Sequence, residues 1–136
     1  MVARRISVLF ALPALASLTS LTSLGCREPM SPAEMIADLR SPDAAERTRA
    51  AHGLRAHNTV PPEAVPSLFQ AIQVEQNKKA RGEELMALAT SGSPQAEPFI
   101  CKAVYDPDVD VRRWGKQALT IWLPMNQQSK GCPPPP

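Results

Sequence analysis

Three copies of one short pattern constrain this chain more than anything else in it. SPDAAERTRAAHGL at residues 41–54 and DPDVDVRRWGKQAL at residues 106–119 superpose without a gap at an offset of 65. The superposition pairs Pro42 with Pro107, Asp43 with Asp108, Arg47 with Arg112 and Leu54 with Leu119. Between them EQNKKARGEELMAL, residues 75–88, sets Arg81 and Leu88 at the same seven-residue spacing, so the three arginines stand 34 and 31 residues apart. A period of that length marks a series of supersecondary units, none able to bury its apolar face alone. Neighbours must supply the missing surface, and about three units is the lower limit for a stable stack.

A second pattern precedes each arginine. Pro66-Ser67-Leu68-Phe69-Gln70-Ala71-Ile72 matches Pro98-Phe99-Ile100-Cys101-Lys102-Ala103-Val104 in every apolar slot, and Met35, Ile36 and Leu39 form a looser first copy. Leu68, Ala71 and Ile72 recur at spacings of three and four, as do Val111, Gly115, Ala118, Leu119 and Trp122, which places each set on one face of a helix. Ser31-Pro32-Ala33-Glu34 reads as an N-cap, a first-turn proline and a capping-box glutamate. Ser41-Pro42, Ser93-Pro94 and Asp106-Pro107 each offer a capping side chain before a proline that pre-sets helical φ. No stretch alternates with period two over the length of a strand, so the expectation is an all-helical chain of helix pairs.

A helix, an Asp-Pro-Asp-type turn, then Val-Arg, small residues and Ala-Leu: this pattern resembles the HEAT repeat, especially its bacterial, PBS-lyase-type form. AVYDPDVDVRRWGKQAL carries the resemblance best and LRSPDAAERTRAAHGL well, whereas the middle copy lacks the Asp-Pro turn. The resemblance implies an all-α, right-handed α-solenoid of about three helix pairs over residues 31–124, at about 31–58, 62–92 and 93–124. Its second helices would line a concave face used for protein binding. It also implies that Arg47, Arg81 and Arg112 belong to a structural ladder with the residues six positions earlier, Ser41, Glu75 and Asp106, tying the turns together.

Ahead of the repeats, Met1–Arg5 carries two arginines and residues 6–25 run without a charge. A basic start, an apolar run and a small residue before the cut make a secretory signal. Twenty helical residues also reach roughly 30 Å, enough for an uncleaved anchor, but Pro13 and six Ser or Thr residues disfavour that reading. Thr22-Ser23-Leu24-Gly25-Cys26 resembles the lipobox of bacterial lipoproteins, in which the cysteine is lipidated and becomes the mature N-terminus. Ser23 stands where that motif usually has leucine. The expectation is a cleaved signal over 1–25, a lipidated Cys26 with a short linker to residue 30, and attachment to the bacterial membrane. By analogy with enteric lipoproteins, Arg27 rather than aspartate after the cysteine implies the periplasmic face of the outer membrane.

Removal of Arg4 and Arg5 would leave thirteen Lys and Arg against thirteen Asp and Glu, all of the latter at Glu28 or later. A neutral chain lacks the electrostatic footprint of a nucleic-acid binder. An exported protein permits a disulfide between Cys101 and Cys132. Such a bridge would be worth about 3–4 kcal/mol in the chain-entropy account. A buried Cys101 with a free Cys132 thiol on the tail is the open alternative.

No constellation for catalysis is evident. His52 and His57, the only histidines, are five residues apart and lack the spacing and third ligand of a zinc site. There is no His-Glu-x-x-His, no Gly-rich phosphate loop and no Cys-x-x-Cys. The chain is read as non-enzymatic, with no cofactor, no metal and no small-molecule substrate evident, and with a protein partner still unidentified. HEAT-like repeats also occur in bilin lyase subunits, which leaves an accessory or lyase-like subunit as the alternative. Arg49, Arg55, Glu83, Glu84, Arg113 and Lys116 are read as charges projected by the second helices, a plus, minus, plus stripe for a partner. Trp114 is open between a contact residue and a cap on the last unit. Residues 125–136 read as a proline-rich, disordered, polyproline II tail.

Overall fold

A computed structural model describes residues 29–56 and 59–134; the expected signal, Cys26 and His57 lie outside the described residues. Among the described residues six helices run in chain order: α1 (Pro32–Asp38), α2 (Ala44–Arg55), α3 (Val65–Val74), α4 (Lys78–Thr90), α5 (Glu97–Val104) and α6 (Val109–Trp122). Short 3₁₀ turns at Pro62–Ala64 and Pro94–Ala96 lead into α3 and α5, and a third at Leu123–Met125 follows α6. There is no strand among the described residues.

Each first helix packs on the second helix of its own pair, and α4 lies against both α2 and α6, so the second helices form a continuous inner layer. The first helices meet through Phe69 on α3 and Phe99 on α5, with ring centroids 5.5 Å apart. One apolar core runs the length of the stack through Leu39, Leu54, Leu68, Ile72, Leu88, Ile100 and Trp122. Position in the stack sets how much of each helix is hidden: α4, with a neighbour on either side, buries a continuous run from Gly82 to Ala89. The chain is an α-solenoid of three helix pairs.

The caps follow the pattern with a shift. Ser31 forms a full capping box with Glu34: its Oγ accepts from the Glu34 N–H at 3.3 Å, and its own N–H donates to the carboxylate at 2.7 Å. The caps of α2 and α6, however, are Asp43 and Asp108, not Ser41 and Asp106. Pro42 and Pro107 sit in the turn, where the residue before a proline is held extended, and the second acid then reaches the first free N–H groups. Asp43 accepts from Ala45 at 2.9 Å, and Asp108 from Asp110 at 2.9 Å and Val111 at 3.3 Å. Ser93 makes no capping side-chain bond; its carbonyl accepts the Trp122 indole N–H at 2.7 Å. In the middle pair Asn77 does the capping, accepting from Lys79 and Ala80 at 3.1 Å each.

Residues 125–134, read from composition as an unfolded tail, are fastened back over the last pair. Asn126 Nδ2 donates to the Gly92 carbonyl at 3.1 Å, Ser129 Oγ to Glu97 at 2.6 Å and Tyr105 Oη to the Cys132 carbonyl at 2.9 Å. Cys132 is bonded to Cys101 on α5, a closure across a separation of 31 residues. Side chains scattered through the tail and a covalent tie supply what a polyproline composition cannot.

Candidate functional site

The three registry arginines end up in different situations. Arg47 on α2 donates from Nη1 to the Ser41 carbonyl at 2.7 Å and the Pro42 carbonyl at 3.1 Å, and clasps the Glu75 carboxylate with Nε at 2.5 Å and Nη2 at 2.9 Å. Arg112 on α6 donates to the Asp106 and Pro107 carbonyls at 2.8 and 2.7 Å. What sits six residues earlier therefore serves through its backbone: the Ser41 hydroxyl goes to Glu46, and the Asp106 carboxylate accepts from the Asp108 N–H. Sequence reasoning paired each arginine with the side chain inside its own unit. The one arginine–carboxylate pair of the ladder, Arg47 with Glu75, instead crosses from the first unit to the second.

Glu75 is almost wholly buried, and burial by itself raises its pKa. The Arg47 hydrogen bonds, the Asn77 N–H and the guanidinium charge outweigh that and hold the carboxyl below the ordinary range. The pair seals a cleft between the first two units, lined by Leu39, Arg40, Gln70, Ala71 and Val74 among others, where Arg40 in turn donates to Gln70 at 2.9 Å.

Arg81 is the exception. Among the described residues its side chain makes no hydrogen bond and no ion pair, and it lines a cleft of about 350 Å³ between the second and third units. The apolar wall of that cleft comes from Ile72, Leu85, Phe99, Val111 and Trp114. Lys78 and Lys102 stand at its edge; Lys78 is paired with Asp108, while Lys102, exposed on α5, has no partner among the described residues. The loop joining α3 to α4 explains Arg81's freedom. It is three residues long, against five and four in the other pairs, and lacks the proline turn that aims two carbonyls at Arg47 and Arg112.

The charged stripe read from the sequence is broken in the middle. Arg49, Arg113 and Lys116 are exposed on α2 and α6. Arg49 and Arg113 each lie near an acid one turn back, Glu46 at 3.7 Å and Asp110 at 3.3 Å. Glu83 and Glu84 are buried, because α4 is flanked on both sides. Glu83 is held by Arg55, with Nε at 2.8 Å and Nη2 at 2.7 Å, and His52 Nδ1 lies 3.3 Å from the same oxygen. Arg55 and Glu83 thus form a tie between α2 and α4.

Glu84 is fully buried, and neither of its oxygens has a hydrogen-bond partner among the described residues. Burial, with the Glu75 charge behind it, pushes its carboxyl up to about 8 despite Arg47 and Arg81 nearby. At neutral pH it carries its proton and offers Arg81 no countercharge. The repeat register held the signal for this: three residues after each arginine come Ala50, Glu84 and Gly115, and the two flanking copies are small and buried.

Trp114 is half-buried over α4, and a β-carbon at Gly82 would stand 2.7 Å from its ring. The indole therefore takes the space that a side chain at residue 82 would need. Gly115 is tighter still, since a β-carbon there would come within 2.5 Å of the α5 backbone at Ala103 and Val104. Among the described residues no group of three His, Cys, Asp or Glu side chains is placed to hold a metal, and no helix is long and apolar enough to cross a membrane.

No curated protein and no solved structure matches the chain. A family model described as HEAT repeats matches residues 32–120, from the first turn of α1 to near the end of α6. The match covers all three helix pairs and well over half the sequence, and with the stacked antiparallel pairs it establishes that the chain belongs to the HEAT-repeat family.

Proposed function

We propose that this protein is an interaction module, a three-unit HEAT scaffold tethered to the bacterial envelope through a lipidated Cys26, with the repeats free to hold a protein partner. The observation that carries the reading is the family itself on a stack this short. HEAT repeats serve protein association, and three units leave exposed ends and exposed second-helix charges, Arg49, Arg113 and Lys116, with no structural duty evident beyond local pairs. The chain is read as a binder that does no chemistry of its own, and the apolar, uncharged run before Cys26 supports export.

Two measurements test this. Intact mass of the membrane-extracted protein should show a chain beginning at a diacylated Cys26; residues 1–25 still attached would remove the tether. Crosslinking in cells, followed by capture from the native membrane fraction, should yield one dominant partner that is lost when Arg113 and Lys116 are replaced in a variant that still melts as the wild type does. Recovery of the protein alone, or chromophore transfer to a cysteine substrate, would replace the scaffold reading.

A further inference from the structure

We infer that the cleft between the second and third units is a docking site for an acidic peptide segment of a partner protein that presents one apolar side chain. The inference rests on the scaffold reading and gives it a place on the molecule. Repeat register makes the two clefts of the stack equivalent: Arg47 corresponds to Arg81, Gln70 to Lys102 and Ala71 to Ala103. In the first cleft the next unit answers the arginine with Glu75. In the second the corresponding acid, Asp106, is turned into its own loop, accepting from the Asp108 N–H, and Arg81 is left over.

Lys102 replaces the neutral Gln70 at the same place, so the second cleft gains a cation where the first has an amide. Asp108 is paired with Lys78 and Glu75 with Arg47, so Arg81 and Lys102 stand beside an apolar wall with no ion-pair partner among the described residues. Phe99 and the half-buried Trp114 ring, seated on Gly82, line the same cleft. Aromatic rings flanked by arginine are the usual anchors of a protein interface. At about 350 Å³ the cleft lies at the lower end of the range of about 300–1,000 Å³ for small-molecule pockets. It fits one side chain of a longer ligand, with acidic neighbours reaching Arg81 and Lys102, and the planar guanidinium can take a carboxylate through two N–H groups.

The test is a fluorescence anisotropy titration of the full chain, in detergent and with its disulfide intact. The probe is a fluorescein-labelled Gly-Asp-Glu-Phe-Asp-Gly peptide at low salt. Saturable binding is expected, weakened at least tenfold by Arg81→Gln combined with Lys102→Gln, by Phe→Gly in the peptide, and by Lys in place of its acids. Lys102→Glu, at an exposed side chain with no partner among the described residues, should abolish binding without touching the fold. Equal affinity in wild type and variants, or no saturable binding, would overturn the site. Phenylacetate competing as well as the peptide would overturn it in favour of a small carboxylate. If the captured partner survives Arg81→Gln with Lys102→Gln, the scaffold reading stands and this docking site falls.

Discussion

The two inter-unit clefts are built from the same repeat positions and do opposite things. In the first, every face of the Arg47 guanidinium is used: two turn carbonyls on one side and the Glu75 carboxylate on the other. In the second, Arg81 borders an apolar cavity with no partner among the described residues, and a lysine and a tryptophan stand beside it. A repeat arginine is therefore not structural or functional by virtue of its register. What decides is whether its own turn aims carbonyls at it and whether the next unit returns a carboxylate. The first interface is stapled by a buried pair; the second has apolar packing and the exposed Lys78–Asp108 pair at its edge, and leaves Arg81 without a carboxylate of its own.

Breaking the staple should have the largest effect. Arg47→Gln leaves Glu75 buried without its partner, a change that costs about 3–5 kcal/mol when one member of a buried pair is removed. For a domain of this size that corresponds to a fall in melting temperature of more than about 10 °C. Thermal unfolding followed by circular dichroism measures it, and a loss under 1 kcal/mol would mean that the first interface is no tighter than the second.

The third unit has a fastening of a different kind. Cys101→Ser removes the bond to Cys132 and should cost about 2–4 kcal/mol through the freedom regained by the unfolded loop. The loss should be local first: hydrogen exchange should speed up in α5 and in residues 126–132 while α2 keeps its protection. Uniform acceleration along the stack would show that the three units unfold only together, and that the clefts are not independently tuned.

Glu84 lies between the two interfaces, close to Arg47 and Glu75 of the first and to Arg81 of the second. Its carboxyl, ordinarily near 4.5, is pushed up to about 8, so the folded chain keeps a proton that the unfolded chain has lost. The contribution to stability is complete below about 4.5 and falls as the pH rises toward about 8. Glu84→Gln removes the titration, and the variant should gain on the wild type by roughly 1–3 kcal/mol between pH 5 and pH 8. Urea unfolding at those two values reads the difference directly; a constant gap would mean that Glu84 is ionised in the fold.

Most of the architecture was legible in the sequence because it follows from period and punctuation. Three arginines at fixed offsets, apolar residues three and four apart and prolines before acids dictate three helix pairs. The caps missed by two residues because Ser-Pro-Asp and Asp-Pro-Asp hold two candidate caps each, and only the turn geometry chooses between them. The buried state of Glu83 and Glu84 was hidden by their charge, though their register was available: Ala50 and Gly115 at the corresponding places are a burial signal for residue 84. What the sequence could not give was the partner choice of each arginine. Glu75 answers Arg47 across units, and no spacing rule within a unit distinguishes that from a bond to Arg81.

The smallest effect is the sharpest test of the comparison. Arg81→Gln is the same substitution as Arg47→Gln, at the same register, one unit further on. The Arg81 side chain has no hydrogen bond or ion pair among the described residues to lose, and a substitution away from such partners changes stability by about ±0.5 kcal/mol. It would also relieve Glu84 of a nearby cation that favours its ionised form, so the Glu84 carboxyl should titrate slightly higher and the wild-type pH slope should extend further into the alkaline range. Melting curves of the two variants side by side, at pH 7, therefore ask one question. A large loss at residue 47 with none at residue 81 means that the second cleft's arginine is held in place for something other than the fold. Equal losses would mean that Arg81 finds carbonyls or a carboxylate in solution, and that the two clefts are alike after all.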